Sequence, residues 1–193
     1  MLRVAIAVAG ATALAASLVP AGADRVLTSE NMLPNRGFER CTRCFDNAGG
    51  LPDRWGRYEI TRAGLSWTAA AARSGVAGVQ LAAQPDLATG LSSEPLSVTK
   101  GATYAAVVWF KAAPGSEGLN IDLHLEFIDG AGRQTDVGST YTTLGSGWTK
   151  VTVRKTPKTA AERVRVLAIV PPDQAGAAYL DDATLKSYFV TPT

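Results

Sequence analysis

The sequence predicts an all-β fold, a sandwich of two sheets, from three observations. Short runs rich in Val, Ile, Thr and aromatic residues recur along the chain, clusters of Gly, Pro, Asp or Ser separate them, and helical periodicity is scarce. The clearest predicted strands are 77–82, 104–111, 120–128, 149–155, 163–170 and 177–185. Their order within the sheets does not follow from these patterns.

The first residues of the chain have the composition of a signal peptide. Arg3 is followed by an apolar run over 4–19, by Pro20 and by the small residues 21–23. We expect cleavage after Ala23 and export to the cell surface or medium. An uncleaved membrane anchor is the alternative, because the run is only slightly shorter than the roughly 20 residues that span a bilayer.

The rest of the chain is long enough for one domain with a substantial core. We divide it into an N-terminal linker over 24–30, a sandwich domain over 31–185 and a C-terminal tail over 186–193. The formal net charge of the full sequence is +2, and such a balanced chain does not indicate nucleic acid or another polyanion as a partner.

The chain contains two cysteines, Cys41 and Cys44. Export would place them in an oxidising compartment, where a disulfide is the first expectation. Free thiols, inert or redox-active, are a second possibility. A zinc site is disfavoured because His124 is the only other Cys or His in the sequence, and a structural site uses four such ligands.

Five motifs occur in a fixed order along the mature chain. Together they resemble a family of carbohydrate-binding modules attached to bacterial cellulases and xylanases, those of families four, nine and twenty-two. The matching segments are NMLPNRGFE at 31–39, LPDRW at 51–55, ARSGVAGVQL at 72–81, GWTKV at 147–151 and YLDDATL at 179–185. The resemblance implies a jelly roll of two antiparallel sheets, similar to galactose-binding domains.

The same resemblance implies a structural calcium ion. Its carboxylate ligands would be Glu39 and Asp181, with main-chain oxygens near Gly37 and Ser74, and oxygen ligands of this kind suit calcium. The alternative is that the two carboxylates only accept hydrogen bonds. Strand alternation predicts that Asp182 points to the opposite face from Asp181.

Modules of this family bind sugars on an open sheet face, where aromatic rings stack on the sugar and polar side chains bind its hydroxyls. Alternation within the predicted strands places polar side chains on one such face, and Trp67 and Gln80 are weaker candidates from its edge. Trp55 and Trp148 are predicted to be packing residues. An ordinary solvated role is the alternative for His124, Asp122 and Glu126. The predicted ligand-binding residues are Trp109, Lys111, Asp122, His124, Glu126 and Tyr141.

No assembled catalytic site accompanies these residues. The sequence lacks a Gly-x-Ser-x-Gly elbow, a phosphate-binding loop and a His-Glu-x-x-His motif. Asp122 and Glu126 lie four strand residues apart, or about 13 Å, which exceeds the spacing of a glycosidase carboxylate pair. We therefore predict non-catalytic binding of polysaccharide by an exported protein. The alternative is a structural or adhesion domain that binds another protein and has lost the sugar groove.

Overall fold

The computed structural model describes residues 25–44, 50–58, 64–158 and 161–191. The predicted signal peptide over 1–23 lies outside these residues. A 3-10 turn over Ala69–Ala71 accompanies the strands, and none of the described residues form a helix long and apolar enough to cross a membrane. The strands are β1 Arg25–Thr28, β2 Trp55–Tyr58, β3 Leu65–Thr68, β4 Gly78–Ala82, β5 Thr89–Ser93, β6 Leu96–Ser97, β7 Thr103–Ala112, β8 Asn120–Ile128, β9 Gln134–Thr143, β10 Thr149–Lys155, β11 Arg163–Val170 and β12 Ala177–Thr191.

The strands form two six-stranded antiparallel sheets, which confirms the predicted fold class. Sheet A has the order β10-β7-β12-β4-β3, with β1 also paired to β12. Sheet B has the order β2-β5-β11-β8-β9, with β6 also paired to β11. All six strands predicted from the sequence are present.

The core lies between the sheets and is built by alternation. On β7 the inward side chains Tyr104, Val108 and Phe110 are buried, while Trp109 and Lys111 alternate with them and are half-buried on the outer face. The ring of Tyr104 meets that of Phe127 from sheet B edge to face at a centroid distance of 5.7 Å. Each such large apolar side chain contributes about 1.5–3 kcal/mol on burial, so these contacts hold the two layers together.

The two ends of the domain are paired with each other, and this corrects the predicted boundaries. β1 lies within the predicted linker and pairs with the end of β12, which continues through the predicted tail to Thr191. The side chain of Asn31 reinforces this junction by donating to the carbonyl of Ala183 and accepting from the N–H of Leu185. Ladder hydrogen bonds join backbone groups, so these segments form strands without a strong side-chain pattern.

The loop between β1 and β2 is fixed at two points. Cys41 and Cys44 form the predicted disulfide, with their Cα atoms 5.4 Å apart. Trp55 is buried and its ring lies 4.8 Å from that of Phe38, centroid to centroid. The prediction that Trp55 is a packing residue is therefore confirmed.

Candidate functional site

The six predicted ligand-binding residues do not share one face. Trp109 and Lys111 lie on the outer face of sheet A, whereas Asp122, His124, Glu126 and Tyr141 belong to β8 and β9 in sheet B. The prediction of a single strip is therefore wrong. The reason is topological: β7 and β8 are consecutive in sequence, but the chain crosses from one layer to the other between them, and alternation within a strand cannot reveal this.

Sheet B carries a continuous row of side chains across its outer face. The register places Tyr58 opposite Gly90, Gly90 opposite Ile169, Ile169 opposite Asp122, and Asp122 opposite Tyr141. Residues directly opposite in antiparallel strands point to the same face. Four strand spacings of about 4.8 Å separate the two tyrosine backbones, so the row is about 19 Å long.

A second row runs beside the first on the same face of sheet B. It contains, in order across the sheet, Gly56, Ser92, Leu167, His124 and Ser139. A side chain added at Gly56 would meet no atom within 4 Å, so this part of the face is open. At Gly90 an added Cβ would lie 2.8 Å from the Cβ of Tyr58, so the absence of a side chain there lets the tyrosine stand over the sheet.

Glu126 is placed beside these rows but is already paired. It is 6% exposed and accepts a hydrogen bond from the Nε of Arg165, its neighbour on β11. Such a buried pair holds the adjacent strands in position and leaves the carboxylate less free to bind a ligand than that of Asp122. We therefore interpret Glu126 as a residue that supports the outer face of sheet B and not as one that contacts a ligand directly.

The chemistry of the outer face of sheet B suits a flat, hydroxylated ligand. Tyr141 is 80% exposed and presents an open ring beside the half-buried carboxylate of Asp122. An aromatic ring packs on the apolar C–H face of a pyranose, and carboxylate and imidazole groups can bind its hydroxyls. The row thus combines a stacking surface with polar partners at adjacent positions.

Tyr58 was missed by the sequence analysis. Its signal is local: in Trp55–Tyr58 the buried Trp55 points inward, so alternation sends Gly56 and Tyr58 outward. The strand is only 4 residues long and follows a loop, and so it did not stand out as a strand. Tyr58 belongs to the candidate site because it lies opposite Gly90, and this placement depends on the register of β2 with β5.

Trp109 and Lys111, on sheet A, have different surroundings. The guanidinium of Arg73 lies 3.8 Å from the centroid of the Trp109 ring, a cation–π contact that covers one of its faces. The ammonium of Lys111 lies 5.9 Å from the centroid of Trp148. Gln80 shares this outer face through its pairing with Tyr179, whereas Trp67 donates from Nε1 to the carbonyl of Phe38.

The predicted calcium ligand Asp181 is fully buried. Its carboxylate accepts hydrogen bonds from the backbone N–H groups of Arg73, Ser74 and Asp182, at 2.7, 3.0 and 2.7 Å. Burial raises the pKa of Asp181 above its ordinary value, although these hydrogen bonds act against the rise. Asp181 therefore holds the loop at residues 73–74 against β12.

The carboxylate of Asp182, like that of Asp181, contacts the loop at residues 73–74. A bulge interrupts the pairing of β12 with β7 between Asp181 and Thr184, and Asp182 adopts a φ of 50°. Its carboxylate consequently reaches the same loop, with Oδ1 accepting from the hydroxyl of Ser74 at 2.8 Å. The prediction that the two aspartates point to opposite faces is wrong because regular alternation fails at a bulge.

Glu39 and Asp182 approach one another beside Gly37. A Cβ placed on Gly37 would lie 3.6 Å from Oε1 of Glu39 and 3.9 Å from Oδ1 of Asp182. Glu39 also accepts from the N–H of Val76 at 2.8 Å through Oε2. Two carboxylates, with the Ser74 hydroxyl between the loops, are a donor set that suits a hard cation. No group of three His, Cys, Asp or Glu side chains that could hold a metal occurs among the described residues.

The fold is shared with solved structures of carbohydrate-binding modules. TmCBM61, solved in complex with β-1,4-galactotriose, is 18% identical with a TM-score of 0.56, and the match covers 84% of this chain and 100% of that one. The CBM22-1 xylan-binding domain from Paenibacillus barcinonensis Xyn10C is 19% identical with a TM-score of 0.57, covering 86% of this chain and 96% of that one.

A third similar structure is part of an enzyme. The arabinose-bound MgGH51 α-L-arabinofuranosidase is 19% identical with a TM-score of 0.60, but the match covers 81% of this chain and only 26% of that enzyme. No family model matches the chain, and no curated protein matches it. The comparisons therefore establish the fold, a jelly-roll sandwich of the kind found in these modules, and confirm the predicted resemblance at that level.

Proposed function

We propose that this protein binds a polysaccharide on the outer face of sheet B without acting on it chemically. The observation that carries the proposal is the row from Tyr58 to Tyr141, with Gly90 and Asp122 between them. A row about 19 Å long exceeds the length of one sugar ring, so it suits a chain and not a single sugar. The binding of galactotriose and xylan by modules of the same fold supports a glycan as the ligand.

Each residue of the row has a role in this proposal. Tyr141 stacks on one sugar ring and Tyr58 contacts another, while Asp122 and His124 bind hydroxyls between them. Ile169 and Leu167 are 5% and 2% exposed, so they support the row from beneath, and the exposed ring of Tyr141 provides the main contact surface. Glu126 positions β8 through its pair with Arg165.

The test is a binding assay on the full mature protein. Soluble β-1,4-galactan, xylan and β-glucan are titrated by isothermal calorimetry, and insoluble cellulose and peptidoglycan are used in pull-down assays, all with calcium present. Binding to at least one of them is expected, with no release of reducing sugar. Failure to bind any of them would overturn the proposal and favour a structural or adhesion domain that contacts another protein.

We also propose that Glu39 and Asp182 hold a structural calcium ion together with neutral oxygens near Gly37 and Ser74. The ion would join the loops before β2 and before β4 to the last strand, and would bind Asp182 beside its existing contacts with Arg73 and Ser74. Ligand binding to the folded state alone stabilises it by about 2.7 kcal/mol at a hundred times Kd.

Thermal unfolding tests the calcium site. We expect a higher Tm in millimolar CaCl2 than in EDTA, and loss of this difference in Glu39→Gln. Glu117→Gln is the matched control, since Glu117 is an exposed glutamate outside this cluster, and it should keep the difference. An unchanged Tm in the unsubstituted protein would overturn the calcium proposal and leave the sugar-binding proposal standing.

Export completes the proposed function. It is supported by the composition of residues 1–23 and by the Cys41–Cys44 disulfide, a bond typical of oxidising compartments. Mass spectrometry of the protein recovered from the culture medium of an expressing cell should give a chain that begins at Asp24. Retention in the cell with residues 1–23 intact would contradict it.

A further inference from the structure

The outer face of sheet A gathers positive charge in one depression. The depression has a volume of about 430 Å³ and includes the basic side chains of Arg36, Lys150, Arg154 and Lys186. The sequence analysis did not indicate a polyanion partner, because the net charge of the whole chain is only +2. The fold has nevertheless placed these cations on one face and left most carboxylates elsewhere.

The register explains the arrangement. Arg154 on β10 and Lys186 on β12 both lie opposite Ala105, the central residue between them. Their backbones are therefore separated by two strand spacings, about 10 Å, with only a methyl group on the floor between them. The next row along the sheet consists of Thr152, Val107 and Thr184, so hydroxyl groups flank the same floor.

These cations are not neutralised by the protein itself. Asp182 is the single carboxylate that lines the depression, and its oxygens are engaged by Arg73 at 2.5 Å and by the hydroxyl of Ser74. Within the described part of the chain, no acidic side chain forms an ion pair with Lys150, Arg154 or Lys186. Lys150 and Arg154 are also exposed, so a ligand can reach them.

We propose that this depression binds an anionic polysaccharide, a glycan chain that carries carboxylate or sulfate groups. The spacing of Arg154 and Lys186 lets two cations contact acidic groups on a chain that crosses the sheet, and Thr152 and Thr184 bind its hydroxyls. The site faces away from the row of sheet B and does not depend on it. The protein would thus contact two glycans, one on each side of the sandwich.

The side chains of the depression favour a glycan over nucleic acid. Single-stranded nucleic acid is bound largely by stacking of bases on aromatic rings. The two aromatic residues here both have a guanidinium over the ring: Arg73 lies 3.8 Å from the centroid of Trp109, and Arg154 lies 6.0 Å from that of Tyr188. Stacking would have to displace these cations, whereas acidic groups on a sugar would use them.

The same face does not suit insertion into a membrane. The exposed large apolar residues of the described chain are Val76, Leu87, Val137 and Tyr141, and none of them lines the depression. Surface binding to anionic lipid usually combines basic residues with apolar side chains that enter the bilayer. The depression has the basic residues but not the exposed large apolar side chains.

The test compares two double substitutions of equal charge. Arg154→Gln with Lys186→Gln removes two cations from the depression, and Arg133→Gln with Lys158→Gln removes one arginine and one lysine elsewhere. Polygalacturonate and dextran sulfate are the glycan probes, titrated at low salt. A single-stranded oligo-dT and phosphatidylserine vesicles are the probes for the two competing classes of ligand, nucleic acid and anionic lipid.

We expect the unsubstituted protein to bind at least one acidic glycan, more weakly as salt rises. The depression variant should bind roughly two- to thirty-fold more weakly, and the control variant as tightly as the unsubstituted protein. The exchange Arg154→Lys with Lys186→Arg keeps both charges and should retain binding, which separates loss of charge from loss of folding.

Three outcomes would overturn the inference: no binding to either acidic glycan, equal weakening by the two double variants, or tighter binding of oligo-dT or vesicles than of either glycan. Failure here is distinguishable from failure of the proposed function. Tyr141→Ala should reduce binding of a neutral glycan and leave that of the acidic glycan unchanged.

Discussion

Tyr58 and Tyr141 stand at the two ends of one cross-strand row, joined through Gly90, Ile169 and Asp122 by the pairing of five strands. They are 83 residues apart in sequence and come from the two edge strands of the five-strand path in sheet B. A ligand that contacts both rings must lie across the strands. The sheet therefore sets the direction in which a bound chain runs.

Removal of either tyrosine ring should weaken sugar binding. For Tyr141→Ala and Tyr58→Ala we expect a loss of about 1.5 kcal/mol each, or about tenfold in Kd, because the ring supplies the stacking surface. Tyr141 is 80% exposed, so its removal should leave the Tm nearly unchanged. Calorimetric titration with the bound polysaccharide measures the effect.

Tyr179→Ala is the matched control for these variants. Tyr179 belongs to β12 and lies opposite Lys111 on the outer face of sheet A. Its removal should not change affinity for the neutral glycan. A loss in Tyr179→Ala with none in Tyr58→Ala or Tyr141→Ala would show that the binding face has been assigned to the wrong sheet.

A methyl group at Gly90 should disturb the site more than one at Gly56. In Gly90→Ala the new Cβ would lie 2.8 Å from the Cβ of Tyr58, closer than such atoms approach, so the tyrosine must move. We expect lower affinity and a loss of about 1–3 kcal/mol of stability from overpacking. In Gly56→Ala the new atom meets nothing within 4 Å, and both quantities should hardly change. Urea unfolding and calorimetry measure the two effects, and identical results for both variants would contradict the packing at Gly90.

The Glu126–Arg165 pair should contribute more to stability than the pair on the surface. Glu126→Gln leaves the guanidinium of Arg165, which is 29% exposed, without its charged partner, and we expect a cost of about 1–3 kcal/mol. Glu94→Gln breaks an ion pair with Arg54, whose side chain is 64% exposed, and should cost less than about 1 kcal/mol. The midpoints of urea unfolding compare the two. A smaller loss in Glu126→Gln than in Glu94→Gln would show that the buried pair does not hold β8 against β11.

Asp136 should give the protein part of its sensitivity to acid. Hydrogen bonds from the backbone N–H of Lys158 and from the ammonium of Lys155 hold the pKa of Asp136 below its ordinary value. The folded pKa is thus lower than the unfolded one, so this contribution is present above about pH 4 and is lost as the pH falls through the folded value. The Tm of Asp136→Asn should therefore fall less steeply than that of the unsubstituted protein between pH 5 and pH 2.5.

Asp86→Asn serves as the comparison for that measurement. Asp86 is exposed, and within the described ranges no hydrogen bond or ion pair of its carboxylate is found. Its removal should leave the acid limb of the Tm curve unchanged. A curve for Asp136→Asn that parallels both the unsubstituted protein and Asp86→Asn would refute the role of Asp136.

The sequence predicted the strands that carry strong alternation and missed those that do not. β8, with Ile121, Leu123, Leu125 and Phe127 on one side, has the bounds that alternation predicts. β9 was missed because its residues are mostly polar on both faces, and β5 because Thr89–Ser93 contains glycine and serine. Such strands are held by backbone pairing to neighbours, which a local pattern does not reveal.

The candidate site could be located only once the pairing of the strands was known. The polar faces of β7 and β8 look alike in sequence, yet the strands lie in different sheets, and so Trp109 and Tyr141 face opposite directions from the core. Tyr141 lies opposite Asp122 because β9, a strand that local patterns did not predict, pairs with β8. Asp182 could not be placed by alternation because the bulge that redirects it depends on contacts with a loop more than 100 residues away.

The pairing of β1 with β12 also determines how the domain responds to tension. Arg25 lies directly opposite Thr191, so the two ends of the described chain leave the sandwich side by side. A force applied between them would act across the ladder and not along it, and would open its backbone hydrogen bonds one after another from that end. The domain should yield to pulling in small steps, with the hydroxyl of Ser29, which accepts from the N–H of Ser187, as the first side-chain contact to break, and the two hydrogen bonds of Asn31 to β12 as the next.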